Sequence, residues 1–215
     1  KPFFILMTVK ILTLEKLKNS KVRYFLSFLL LCLIISLLVG QPDLGQSILL
    51  TGSWIFTVFI SGVSIFYIAG FFSIFLIFLT SLLSFFPEKF SYIINRLTTF
   101  IDPTQGDKFQ STAALDAIKI GGFTGQGMGE GILKESVPEA HTDYVIAIIT
   151  EEYGSITSVL IVLIFLYIAF RIIKNCFNQE DNFIKISLCG LATLLIFQMF
   201  IHAGVNTNLL PTTGM

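Results

Sequence analysis

The chain has 215 residues, 14 basic and 14 acidic side chains and no net charge, yet 54% of it is hydrophobic, with 23 Phe and a mean hydropathy of +0.82. Several apolar runs reach the roughly 20 residues needed to cross a bilayer. Stretches such as 25–39 and 64–86 show neither the period of two of a half-buried strand nor an amphipathic stripe, so a soluble core of alternating strands is excluded and an all-α, polytopic transmembrane bundle is expected.

From the start, 2–14 is moderately apolar and short, and reads as the end of a helix begun upstream. Lys10, Lys16, Lys18, Lys21 and Arg23 then cluster in and around one linker, read as a topogenic signal that puts it in the cytoplasm in preference to a polybasic nucleic-acid or lipid patch. The segment 24–40 crosses outward and ends in Gln41-Pro42-Asp43-Leu44-Gly45, where proline and glycine predict a break. Segments 46–62 and 63–86 run in and out again around a tight, uncharged hinge at Gly62.

Residues 87–142 form a long polar loop on the opposite side, with short helices expected at 90–100 and 110–120. Lys89, Arg96, Lys108, Lys119 and Lys134 lie here, against the topogenic bias, and so invite a functional role. The segment 143–170 returns to the cytoplasm, where Arg171, Lys174 and Lys185 make the second basic cluster, and 184–205 goes out once more. Cys32, Cys176 and Cys189 have no metal-site or disulfide-framework spacing and read as packing residues, and His141 and His202 have no ligand spacing. With Lys1 first and Gly214-Met215 inside a loop, the chain reads as a fragment forming part of one membrane domain.

Chemistry concentrates where Val137-Pro138-Glu139-Ala140-His141-Thr142-Asp143-Tyr144 runs into an apolar segment. Thr142 or Asp143 suits an N-cap, since either side chain accepts from first-turn amides. A carboxylic acid at such a mouth is wet on one side and faces low dielectric on the other, which moves it toward the range of a general base. Capping and catalysis both remain open for Asp143. On a helix, Asp143, Ala147, Thr150 and Gly154 share an arc of about 60°. Glu151 lies about 12 Å deeper, where an acid faces the bundle interior and finds a partner, either relaying protons or tying helices together. The run Gly121-Gly122-Phe123-Thr124-Gly125-Gln126-Gly127-Met128-Gly129-Glu130-Gly131 follows no strand and is no nucleotide loop. Its amides form either an anion-binding nest or a turn-rich connector.

Five stretches in order resemble the FtsW/RodA/SpoVE (SEDS) family of bacterial cell-wall membrane proteins. They are Gln41-Pro42-Asp43-Leu44-Gly45; Arg96-Leu97-Thr98-Thr99-Phe100-Ile101-Asp102-Pro103; the glycines 121–129; Pro138-Glu139-Ala140-His141-Thr142-Asp143 with Glu151-Glu152-Tyr153-Gly154; and Leu209-Leu210-Pro211-Thr212-Thr213-Gly214. The Ala140-His141 pair and the 127–131 run are more similar to the FtsW division branch than to the RodA branch, while Ala113 stands where many members carry a second Gln after the one matching Gln110.

The resemblance implies about ten transmembrane helices in the whole protein, of which this chain is the middle and later part. It implies a peptidoglycan glycosyltransferase of the cytoplasmic membrane, at the division septum, that polymerises lipid II with inversion and releases undecaprenyl diphosphate. Asp143 is then the catalytic base. Arg96, Lys108, Gln110, Lys119, Lys134, Glu139, His141, Asp43 and Glu151 would contact substrate, and the cations or a divalent Mg or Mn would neutralise the diphosphate. Expected partners are membrane lipid, a class B penicillin-binding protein transpeptidase and other divisome proteins. A lipid II flippase and a non-catalytic divisome scaffold are the alternatives.

Overall fold

A computed structural model of the chain describes residues 1–15, 19–41, 43–85, 91, 109–133 and 143–211. Among the described residues there are helices and no strands: α1 (Pro2–Leu12), α2 (Ser20–Gly40), α3 (Leu44–Ile60), α4 (Ile65–Phe85), α5 (Phe109–Gly121), α6 (Val145–Tyr153), α7 (Ser155–Cys176) and α8 (Asn182–Asn206). The expected all-α class is therefore what the chain adopts. Three of these helices, α2, α7 and α8, are long and apolar enough to cross a membrane among the described residues. Only 6% of the most apolar window of α7 is buried, and Ile156, Val159, Leu163, Tyr167 and Phe170 all point outward. Such a surface is stable against lipid tails and not against water.

The chain divides into two compact units, Lys1–Ser91 with Ile168–Phe197, and Tyr92–Tyr167 with Gln198–Met215. In the first, α1 buries Ile5, Thr8 and Val9 at helical spacing. Buried Leu31 and Ile35 of α2 and Leu49, Leu50, Trp54 and Val58 of α3 extend that core. Phe28 stacks on Phe71, with ring centroids 4.9 Å apart, and leans on Trp54 at 5.9 Å. A Cβ at Gly190 would stand 2.7 Å from Ile5 and 2.9 Å from Thr57, so its hydrogen lets the backbone of α8 lie close to α1 and α3.

Local chemistry sets the helix ends. The Thr13 hydroxyl donates to the Val9 carbonyl at the end of α1 (2.9 Å). The Asn19 side chain caps α2 by accepting from Lys21 N–H (3.1 Å). The turn between α3 and α4 falls at Gly62, whose φ is +88°. Cys176 and Cys189, read from their spacing as unrelated packing residues, bring their thiols together across the α7–α8 hairpin, and Cys176 Sγ–H also reaches the Lys185 carbonyl (2.9 Å).

In the second unit, α5 presents Ala114 and Ala117 to Tyr144 and Ala147 at the start of α6, with Leu133 and Val205 closing the cluster, while Gly121 at the end of α5 lies against Thr150. The small side chains let the helices approach closely. Residues 143–170 read as one helix from hydropathy, but the chain breaks at Gly154 into α6 and α7. Gly154 has φ +85°, and a Cβ there would overlap the Phe123 carbonyl, so the break also admits the glycine-rich loop. A Thr150–Ser158 hydroxyl contact of 2.7 Å then bridges the break. The expected helix at 110–120 corresponds to α5, whereas the one expected at 90–100 lies outside the described residues.

Candidate functional site

Asp143 stands two residues before Val145, the first residue of α6, and is buried, with 6% of its surface exposed. Asp143 does not occupy the N-cap position, and Thr142 lies outside the described residues. That position belongs to Tyr144, whose side chain makes no capping bond and is wholly buried. The amide of Ala147, in the first turn, is taken from outside the helix: it donates to Asn206 Oδ1 at the end of α8 (2.8 Å). The same side chain donates through Nδ2 to the Asp143 carbonyl and to the His202 carbonyl, both at 2.7 Å. Asn206, itself 1% exposed, thus performs the capping and fixes the Asp143 backbone together. The Asp143 backbone is thus held through its peptide carbonyl by a side chain of α8.

Glu151 lies in the last turn of the same helix, about 12 Å along its axis from Asp143, so the two acids form no dyad. Its buried carboxylate accepts from two consecutive amides, Ile132 N–H at Oε1 (2.8 Å) and Leu133 N–H at Oε2 (3.1 Å). The carbonyls of Glu151 and Glu152 accept from Gln126 and Gly127 N–H (2.9 and 3.1 Å), and Ser155 N–H donates to the Gly122 carbonyl (2.9 Å). The glycine-rich segment is therefore a docked strap whose amides serve the chain's own carboxylate and carbonyls. Glu151 holds this strap where the sequence suggested a tie between helices or a proton relay. Gly121 makes the docking possible, since a Cβ there would overlap the Thr150 carbonyl.

The other expected site residues scatter. Gln110 is half-buried in the first turn of α5. Lys119, expected to meet phosphate, is exposed and pairs with Asp116 at 2.9 Å. Asp43 belongs to the first unit, where its side chain caps α3 by accepting from Gln46 N–H (2.9 Å) and its carbonyl accepts from the Ser47 hydroxyl (2.9 Å). Arg96, Lys108, Lys134, Glu139 and His141 lie outside the described residues. Among the described residues no three His, Cys, Asp or Glu side chains converge on a point a metal could occupy. The Glu151 carboxylate is already engaged with two amides, so the described donors do not fit a divalent cation. Asn206 is the residue that sequence reasoning missed. Its only signal is an amide at the end of an apolar run, where it looks like the first residue of a loop.

The family model described as "Cell cycle protein", FtsW/RodA/SpoVE, matches residues 1–215. A Caulobacter vibrioides protein named "Probable peptidoglycan glycosyltransferase FtsW" is 35% identical over 190 residues, covering 88% of this chain and 48% of that protein. Proteins of the same name from Geobacter sp. (strain M18) and Buchnera aphidicola subsp. Schizaphis graminum are 35% and 36% identical, over 94% and 83% of this chain and 55% and 52% of theirs. The chain spans about half the length of these relatives. Its fold is also similar to a chain of the solved structure reported as "Structural coordination of polymerization and crosslinking by a peptidoglycan synthase complex". That match has a TM-score of 0.70 at 20% identity and covers 99% of this chain and 59% of that one. An all-helical chain with membrane-crossing helices, matched by the family model from its first residue to its last, belongs to the FtsW/RodA/SpoVE family of membrane proteins.

Proposed function

We propose that the full-length protein polymerises lipid II into glycan strands at the outer face of the cytoplasmic membrane during septal wall synthesis, with Asp143 as general base. The observation that carries this reading is the seat of Asp143: buried at the mouth of α6, with its backbone held by Asn206, which also caps the helix. Capping therefore does not account for an acid at this position. Family membership and the naming of the relatives as peptidoglycan glycosyltransferases support the substrate class.

In this reading the Asp143 carboxylate takes the proton of the acceptor sugar's 4-hydroxyl as that oxygen attacks the donor's anomeric carbon. The new glycosidic bond forms with inversion, and the bond to the undecaprenyl diphosphate breaks with its electron pair leaving on the diphosphate. A positioned base contributes roughly 10²–10⁴-fold. Neutralising the leaving group is assigned to Arg96, Lys108, Lys119 and Lys134, for which Lys119 must leave its exposed pair with Asp116. Glu139, His141 and Gln110 belong to the same face of the reading, around the acceptor. Glu151 acts through the strap it holds and not on substrate.

The fold shared with a chain of a peptidoglycan synthase complex supports a transpeptidase of the class B penicillin-binding protein type, with other divisome proteins, as partner. Purified full-length protein given lipid II should produce long glycan strands on a strand-length gel. Lipid II recovered intact, in the presence of that partner, would remove the polymerase reading.

A further inference from the structure

The first unit contains a cavity of about 400 Å³ that the polymerase reading does not use. It lies where four helix ends meet. Leu12, Thr13 and Glu15 come from the end of α1 and the residues after it, Arg23 from the first turn of α2, Ile60 and Ser61 from the end of α3, and Asn182, Lys185 and Ile186 from the start of α8. The volume is in the range of small-ligand sites, and the lining mixes apolar and hydrogen-bonding groups as such sites do. Its two cations come one from each of the basic clusters that flank the membrane-crossing helices.

Arg23 and Lys185 are half-buried, and among the described residues no carboxylate pairs with either. Arg23 Nη1–H donates to the Leu12 carbonyl (3.0 Å), which orients the guanidinium, while its Nε–H is shut off from solvent with no acceptor. Lys185 Nζ stands 5.9 Å from the centre of the Phe177 ring. Partly desolvated cations left unpaired are costly unless an anion joins them. The exposed carboxylate of Glu15 also lines the cavity and reduces two positive charges to one.

We propose that this cavity binds the phosphodiester headgroup of an anionic phospholipid from the leaflet on the basic-linker side. One net positive charge matches a phosphodiester, which carries one negative charge. Glu15 repels any phosphate alike, so the apolar part of the lining is what favours a lipid over free orthophosphate. Leu12, Ile60 and Ile186 give the glycerol and first acyl carbons an apolar wall. Asn182 can donate to headgroup oxygens, while Thr13 and Ser61, whose hydroxyls donate to the Val9 and Val58 carbonyls, offer lone pairs to headgroup hydroxyls.

Native mass spectrometry of the chain in detergent, titrated with phosphatidylglycerol or phosphatidylcholine, tests this. The anionic lipid should be retained preferentially. One basic residue near the membrane surface is worth about fivefold in binding, so Lys185→Gln should cut retention about fivefold and Lys185→Gln with Arg23→Gln roughly 25-fold. Lys185→Gln is the cleaner variant, because Arg23 also ties down the Leu12 carbonyl. Millimolar inorganic phosphate should not displace the lipid. Equal retention of both lipids, a preference unchanged in Lys185→Gln, or displacement by inorganic phosphate would each overturn the assignment, the last by giving the cavity to a free anion.

Discussion

Replacing Asn206 with alanine removes the side-chain hydrogen bonds that tie the mouth of α6 to the end of α8. Two groups lose their partner: the amide of Ala147, a residue with no exposed surface, and the Asp143 carbonyl. Each buried polar group left unsatisfied costs about 1–3 kcal/mol, although hydrogen bonds within membrane proteins average nearer 0.6 kcal/mol. The His202 carbonyl lies one helical turn before Asn206, and its side-chain bond contributes less. The sum is a loss of about 2–4 kcal/mol. Asn206→Leu, with a similar volume, should lose nearly as much, which separates the hydrogen bonds from the cavity that alanine leaves. Unfolding free energies in bicelles, with hydrogen exchange followed at the Ala147 amide, measure both effects. A change under about 0.5 kcal/mol with unaltered exchange at Ala147 would show that the amide does not hold the mouth.

Three further outcomes follow from the same geometry. Glu151→Gln should retain one acceptor but set an NH2 group against the second amide, loosening the strap by about 1.5–3 kcal/mol; hydrogen exchange should rise across 121–133 and not in α3, and a strap that stays protected would contradict the clamp. Gly121→Ala should force α5 off the Thr150 carbonyl at a cost of about 1–3 kcal/mol or more, whereas Gly70→Ala in α4, where nothing lies within 4 Å, should be neutral or stabilising; melting temperatures that rank the two the other way would refute the packing argument. Cysteines introduced at Ser111 and Asn178 in a background without Cys32, Cys176 and Cys189 should label from opposite sides of the membrane with an impermeant reagent, and labelling from one side would overturn the orientation.

How much of this was legible in the sequence depends on the range of the interaction. The all-helical class follows from long apolar runs, whose backbone groups lipid leaves no other way to satisfy. The special status of the glycine run was visible too, but not its use. Whether those amides would bind an outside anion or the chain's own Glu151 depends on how Gly121 and Gly154 let α5 and the strap approach α6, and hydropathy carries no such information. The break at Gly154 was hidden for the same reason: apolar runs lie beyond the polar stretch 150–158 on both sides, and the positive φ is what marks the break. At the Asp143 mouth, local rules favoured Thr142 or Asp143 as cap, and tertiary structure supplied the cap from α8 instead. Asn206 therefore escaped a reading built on neighbours in sequence, although its burial at the end of an apolar helix is what makes it necessary.

The central claim is that the Asp143 carboxylate takes a proton while the backbone around it is held by other residues. Asp143→Asn in the full-length protein tests it most directly, because asparagine caps about as well as aspartate and leaves the Asn206 bonds to the peptide group untouched. Strand formation from lipid II should fall by roughly 10²-fold or more, with melting temperature and hydrogen exchange at Ala147 unchanged. An Asp143→Asn protein that still makes long strands at the parent rate would contradict the account.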